Sequence, residues 1–228
     1  MSIFVGSEQG DVITPETVSP GVFVLGQPKK PSAAVDLILA GGGNDIVAAG
    51  KGDDVAILGA GDDQFIWNPG DGSDVVYGGA GRDELTFNGA GVNENVSIGA
   101  GLFGLAQFKR DVANVNMTLN DVEVIQFDAG GGSDNIKVGD LSKTDLQEVH
   151  IDLGGDAALG DGAVDKVTLE GSAQGDHIEL LAFGDTVSVV GTPAFVALTH
   201  VEATMNSSSR AAPATTFSPR PRRRLRSS

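Results

Sequence analysis

A chain of 228 residues with a formal net charge of −16, 33 glycines and no cysteine excludes several classes at once. Glycine at that density opposes a helix bundle, and the missing thiols remove disulfides, thiolate metal centres and cysteine nucleophiles. The acidic balance disfavours nucleic acid and anionic membrane and favours cations; it is steeper than it reads, because six of the 15 basic residues are arginines beyond Glu202, leaving nine against 31 acids, or −22, over residues 1–204.

The first residues, MSIFVGSEQG, lack the basic and apolar regions of a cleaved signal peptide, and no stretch approaches the ~18 apolar residues of a membrane span. Export is therefore expected by another route, with no membrane insertion. Residues 1–35 are expected to form an N-terminal cap and an irregular insertion. GSEQGDVI (6–13) matches GSAQGDHI (171–178) at six of eight positions, as one degenerate turn used twice, and terminal units of a solenoid are commonly degenerate in this way. Pro15, Pro20, Pro28 and Pro31 then keep the following segment out of a sheet interior.

Residues 36–87 carry a repeat. Asp45, Asp54 and Asp63 are nine apart, Asp74 follows after 11, and Asp83 returns to nine, with Asp36 extending the series backward. Two residues before these five aspartates stand Gly43, Gly52, Gly61, Gly72 and Gly81; two after stand Val47, Ala56, Phe65, Val76 and Leu85. Each unit is thus a turn followed by a short strand that points one apolar side chain inward. Glycines let the turn carbonyls bend toward a common point without Cβ clashes, and the aspartate closes the site. Oxygen ligands select a hard cation, and Ca²⁺, which accepts roughly six to eight oxygens in flexible geometry, fits better than Mg²⁺. Turns on one side recur every second unit, so Asp45 is expected to pair with Asp63, Asp54 with Asp74, and Asp63 with Asp83 between successive coils.

A flexible acidic linker has the same composition, but gives no reason for an apolar residue two positions after every aspartate. A phosphate-binding glycine loop is disfavoured by the crowding carboxylates and by the lack of GK[ST]. Gly41, Gly43, Asp45 and Val47, then Gly50, Gly52, Asp54 and Ala56, then Gly59, Gly61, Asp63 and Phe65, then Gly79, Gly81, Asp83 and Leu85 follow the pattern G-G-x-G-x-D-x-U-x. On these residues the chain resembles the hemolysin-type (RTX) calcium-binding repeat proteins. The resemblance implies a right-handed parallel β-roll holding several Ca²⁺ ions in both rows of turns, and export of a secreted or cell-surface bacterial protein by type I secretion machinery. The expected metal residues are these glycines and aspartates with Gly72, Asp74, Asp36 and the turn residues Asn44, Asp53 and Asp62.

Residues 88–204 alternate short apolar runs with glycine and aspartate turns: NVSI, VNMTL, VEVIQF, NIKV, VHIDL, KVTL, HIEL, VSVV and FVALTHV. They predict an irregular β-solenoid continuation, all-β like the roll, with at most a short helix at 141–148. GGGSDNI (130–136) is a further unit with Asp134 as an outlying metal residue, and GDGAVDKV (160–167) a looser one. His150, His177 and His200 stand at or beside strand positions without a partner motif, and the carboxylates recur at turns rather than as one matched pair, so no catalytic site is expected.

Residues 205–228 contain no acid and six arginines, and are expected to be a disordered basic tail. Read in the frame that takes each codon's third base with the next codon's first two, a GC-rich coding sequence for 205–217 yields ELVVAGGAGDDV, a strand and an intact turn. The tail is therefore read as a frameshift product of a longer repeat protein, one that has lost a C-terminal export signal. Calcium-dependent folding without catalysis is the principal functional reading; a calcium-dependent scaffold for a secreted protease, lipase or epimerase, or a piece of a repeat adhesin, are the alternatives.

Overall fold

The structure is a computed structural model that describes residues 1–155 and 161–201, together with the backbone of Thr204–Met205, Ala214–Phe217 and Pro219–Arg220. The rest of the expected basic tail and the start of the 160–167 unit lie outside the described residues. Among the described residues no helix is long and apolar enough to cross a membrane.

The chain is nearly all strand. It opens with β1 (Ile3–Val5), β2 (Val12–Ile13), β3 (Phe23–Leu25), β4 (Leu37–Gly42), β5 (Ile46–Val47), β6 (Val55–Ala60), β7 (Gln64–Trp67), β8 (Val75–Ala80) and β9 (Glu84–Ala90). From β4 to β9 alternate strands enter alternate sheets. β4, β6 and β8 pair in parallel with Leu37 beside Val55 and Val55 beside Val75; β5, β7 and β9 do so in the facing sheet with Ile46 beside Gln64 and Gln64 beside Glu84. A strand of two to seven residues can send few side chains inward, and those two residues after each aspartate, Val47, Ala56, Phe65, Val76 and Leu85, are all buried.

The continuation comprises β10 (Asn95–Ala100), β11 (Ala106–Arg110), β12 (Val115–Asn120), β13 (Val124–Gly130), β14 (Asn135–Val138), β15 (Glu148–Asp152), β16 (Lys166–Glu170), β17 (Glu179–Phe183), β18 (Thr186–Val190) and β19 (Phe195–Thr199). Here the parallel pairing of β4 to β9 gives way to mixed sheets. β10, β11 and β12 form an antiparallel meander inserted between β8 and the next parallel strand, β14. β3 caps β1 antiparallel at one end, and β17 and β18 fold back on β19 at the other. Residues 141–147 make turns and bends, with Thr144 Oγ1 donating to the Leu141 carbonyl and Ser142 N–H to Asp140 Oδ1, and no helix forms where at most a short one was expected. The HIEL strand is displaced to β17, and Ala214–Phe217, inside the expected disordered tail, pairs antiparallel with β16.

The core runs as one continuous cluster between the two sheets. Its widest part is aromatic: Trp67 stacks on Phe87 with ring centroids 4.0 Å apart, and Phe87 meets Phe108 at 4.1 Å and Phe127 at 5.9 Å. These rings bridge the roll, the meander and the continuation, so the three share one interior.

Candidate metal centre

Each turn from Gly41 to Asp83 owes its shape to its glycines. At Gly59 (φ 118°) a Cβ would sit 1.9 Å from the Gly41 carbonyl oxygen, and at Gly61 (φ 141°) 2.2 Å from that of Gly43. Successive turns are therefore stacked backbone on backbone, and the column between them is lined by carbonyl oxygens that a side chain would displace.

The aspartates form a ladder through this column. Asp36 N–H donates to Asp54 Oδ1 at 2.6 Å and Asp54 N–H to Asp74 Oδ1 at 2.9 Å along one row. Along the other row Asp11 donates to Asp45 at 2.6 Å, Asp45 to Asp63 at 2.7 Å and Asp63 to Asp83 at 2.9 Å. The pairs expected from nine-residue spacing, 45 with 63, 54 with 74 and 63 with 83, are thus brought together by one hydrogen bond each. Glu123 Oε2 ends the second row by accepting the Asp83 N–H at 2.8 Å, whereas the Asp74 N–H meets only the Met117 thioether, at 3.5 Å.

Four of these carboxylates use only one oxygen. Oδ2 of Asp45, Asp54, Asp63 and Asp83 is buried with no hydrogen-bond partner. Burial holds these groups well above the ordinary carboxylate value of 3.8, Asp45 and Asp83 to about 6, Asp54 to about 7 and Asp74 to about 8, with the ladder N–H opposing the shift and neighbouring carboxylates adding to it. Asp63 is raised for the same first cause. A buried carboxylate oxygen with no donor calls for a proton or a cation.

Among the described residues no group of three or more His, Asp or Glu side chains converges, so a cation held between the turns would draw on one or two carboxylates and on backbone carbonyls. That all-oxygen, carbonyl-rich environment fits Ca²⁺ and lacks the nitrogen or sulfur donors that favour transition metals.

Other expected residues also bond between coils. Asn44 Oδ1 accepts the Asp62 N–H at 3.0 Å, Asp53 Oδ1 the Ser73 N–H at 2.8 Å and Asp62 Oδ1 the Arg82 N–H at 2.9 Å. Their side chains clamp the following coil from the outside, and this second ladder runs opposite to the first. Asp36 differs from the glycine turns, for its Oδ2 accepts from Ser32 N–H at 3.1 Å and the Ser32 hydroxyl at 3.4 Å. Asp11 closes on Ser7 in the same manner, at 2.8 and 2.9 Å. Asp134 begins a further stack with Asp165, whose Oδ1 accepts its N–H at 2.9 Å, and burial raises Asp134 to about 7. Glu123, Asp165 and Glu94, which donates its N–H to Asp134 Oδ1 at 2.8 Å, were not anticipated; a carboxylate immediately preceding each strand was the signal that would have found them.

The three histidines each contact a strand carboxylate: His150 with Glu148 at 2.9 Å, His177 with Glu179 at 3.2 Å and His200 with Asp152 at 2.6 Å.

No curated protein matches the chain as a relative. Residues 32–65 and 70–89, however, match a family model described as the RTX calcium-binding nonapeptide repeat, in four copies. The matched residues contain the stacked glycine turns and the carboxylate ladder from Asp36 to Asp83, and in this part the chain is similar to a run of RTX calcium-binding nonapeptide repeats.

Proposed function

We propose that the chain binds several Ca²⁺ ions between its stacked turns and that this binding drives the folding of residues 36–87 as a right-handed parallel β-roll. The observation that carries the reading is the set of buried Oδ2 atoms on Asp45, Asp54, Asp63 and Asp83, in both rows, that lack any donor. When bound, the ion supplies the positive charge these oxygens need. The chain's own part is to hold Oδ1 on the preceding coil's N–H, turn the glycine carbonyls into the column and bury both. Like charges stacked along one row oppose folding until they are neutralised, and binding energy available only to the folded state becomes folding energy.

The role is structural rather than enzymatic: the acids repeat with the coils, and each histidine rests against a carboxylate on its own or a neighbouring strand. The strongly acidic body and metal-dependent roll suit a bacterial protein exported unfolded by type I secretion machinery and folded in external calcium, a reading that follows from the repeat family. Far-ultraviolet circular dichroism during a Ca²⁺ titration from excess chelator tests the proposal. A cooperative gain of β-structure is expected; a chain already fully β-structured in chelator, and no more stable with Ca²⁺, would refute it.

A further inference from the structure

One turn beside the calcium-type turns is built differently. Between β9 and β10 the strand-preceding carboxylate is Glu94, and its N–H donates to Asp134 Oδ1 as the ladder requires. The turns before Asp45, Asp54, Asp63 and Asp83 place glycines at positive φ four and two residues before the acid, as with Gly41 and Gly43 before Asp45. The corresponding residues before Glu94 are Ala90 and Val92, neither of which has positive φ. A β-branched residue strongly resists that conformation, so this turn follows a different backbone path from the turns before Asp45, Asp54, Asp63 and Asp83.

A cation is nevertheless present. Arg110 lies at the end of β11, and its guanidinium reaches Glu94 Oε1 through Nε at 2.8 Å and through Nη2. The two side chains are 2% and 0% exposed. The guanidinium carbon stands 5.5 Å from the centre of the Trp67 ring, a cation–π contact that fixes it from the other side. Glutamate is one methylene longer than aspartate, which lets the carboxylate reach the arginine. Glu94 Oε2 is buried without a donor, like the Oδ2 atoms of the calcium-type turns, but here the negative charge already has its counter-charge.

We infer that Arg110 is the resident cation of the Glu94 turn, replacing Ca²⁺ there and making the β9–β10–β11 region fold without metal. The inference rests on the reading that the glycine turns are the calcium turns. The meander thereby acts twice: Met117 ends the aspartate row at Asp74, and Arg110 supplies the charge that the next turn would otherwise draw from solution. The metal-dependent coils then have an ordered, metal-independent surface on which to stack.

Hydrogen exchange on the full chain, in chelator and in Ca²⁺, separates the two claims. Residues 41–83 are expected to gain protection only with Ca²⁺, while Asn95–Ala100 and Ala106–Arg110 are protected in both. If nothing gains protection with Ca²⁺, the calcium reading fails. If 41–83 gains it but β10 and β11 exchange equally fast in chelator, this inference alone fails. Arg110→Met should speed chelator-state exchange of β10 and β11 at least tenfold, by leaving Glu94 buried without a counter-charge. The neutral pair Glu94→Gln/Arg110→Met should restore protection and bind the wild-type number of Ca²⁺ ions by native mass spectrometry. A double variant that binds fewer ions would make Glu94 a calcium ligand and overturn the assignment, even if the single variant does not fold.

Discussion

Asp63 joins the two halves of the proposed site, and two substitutions separate its oxygens. Its Oδ1 accepts the Asp45 N–H at 2.7 Å, while its Oδ2 has no protein partner. Asp63→Asn keeps a carbonyl oxygen for the ladder and removes the charge. The loss is that of one charge-assisted contact, about 1.5–3 kcal/mol, or roughly 10–100-fold in the Ca²⁺ midpoint. Asp63→Ala also strands the buried Asp45 N–H, adding about 1–3 kcal/mol, which is roughly a further 5–100-fold. The order wild type, Asn, Ala should appear in Ca²⁺ titrations followed by circular dichroism and in urea unfolding at saturating Ca²⁺. Two results would refute the reasoning: an asparagine variant that titrates like wild type, meaning Oδ2 is no ligand, or one indistinguishable from alanine, meaning the ladder bond contributes nothing.

Three further outcomes follow from the same geometry. Gly61→Ala should abolish calcium-induced folding or weaken it by more than about 3 kcal/mol, since positive φ strain of about 1–3 kcal/mol adds to a Cβ clash with the Gly43 carbonyl, whereas Gly99→Ala, where a Cβ meets nothing within 4 Å, should stay within about 1 kcal/mol in urea unfolding. Protons and Ca²⁺ should compete: folded-state values of about 6 to 8 on Asp45, Asp54, Asp74 and Asp83 exceed the unfolded 3.8, so the calcium-free fold holds more protons and loses stability as pH rises from about 4 to 8. In Ca²⁺-driven folding the starting state near pH 6 is unfolded and its aspartates, at 3.8, are already ionised, so calorimetry in buffers of different ionisation enthalpy should register almost no proton release on Ca²⁺ binding there; release of several protons would mean that the turns fold without Ca²⁺. Trp67, the single tryptophan, is fully buried and donates Nε1–H to the Gly72 carbonyl at 2.8 Å, so its emission should move to the blue as Ca²⁺ is added; an unmoved spectrum alongside a gain in β-structure would dissociate the aromatic core from the turns.

What the sequence disclosed was whatever is local to one nonapeptide. Glycine, aspartate and an inward apolar residue at fixed offsets define a turn and strand without reference to any other part of the chain, so the Asp45 to Asp83 register and most strands were legible. Features that depend on a neighbouring coil were not. Asn44, Asp53 and Asp62 are read as metal residues from their proximity to the repeat aspartates, but the bond each Oδ1 makes to an N–H of the next coil, 18 or 20 residues away, is visible only in the structure. Strand β11 was missed because AQFKR breaks alternation with a buried arginine, a choice that makes sense only beside Glu94. Ser32 and Ser7, which satisfy Asp36 and Asp11 from within their own turns, were visible in the sequence four residues before each acid, but their significance required seeing which carboxylate oxygens remained free elsewhere.

The ladder also constrains how such a protein can change length. Its rungs connect residues 18 apart from Asp36 to Asp54 and from Asp45 to Asp63, and 20 apart where the Asn68–Asp71 turn is enlarged. Deleting a single nonapeptide would move every later strand into the opposite sheet and exchange the two rows of acids; deleting two in succession would restore both. Gains and losses of coding sequence in the regular part should therefore be tolerated in whole coils, while two extra residues in one turn, as between Asp63 and Asp74, pass without disturbing the rungs on either side.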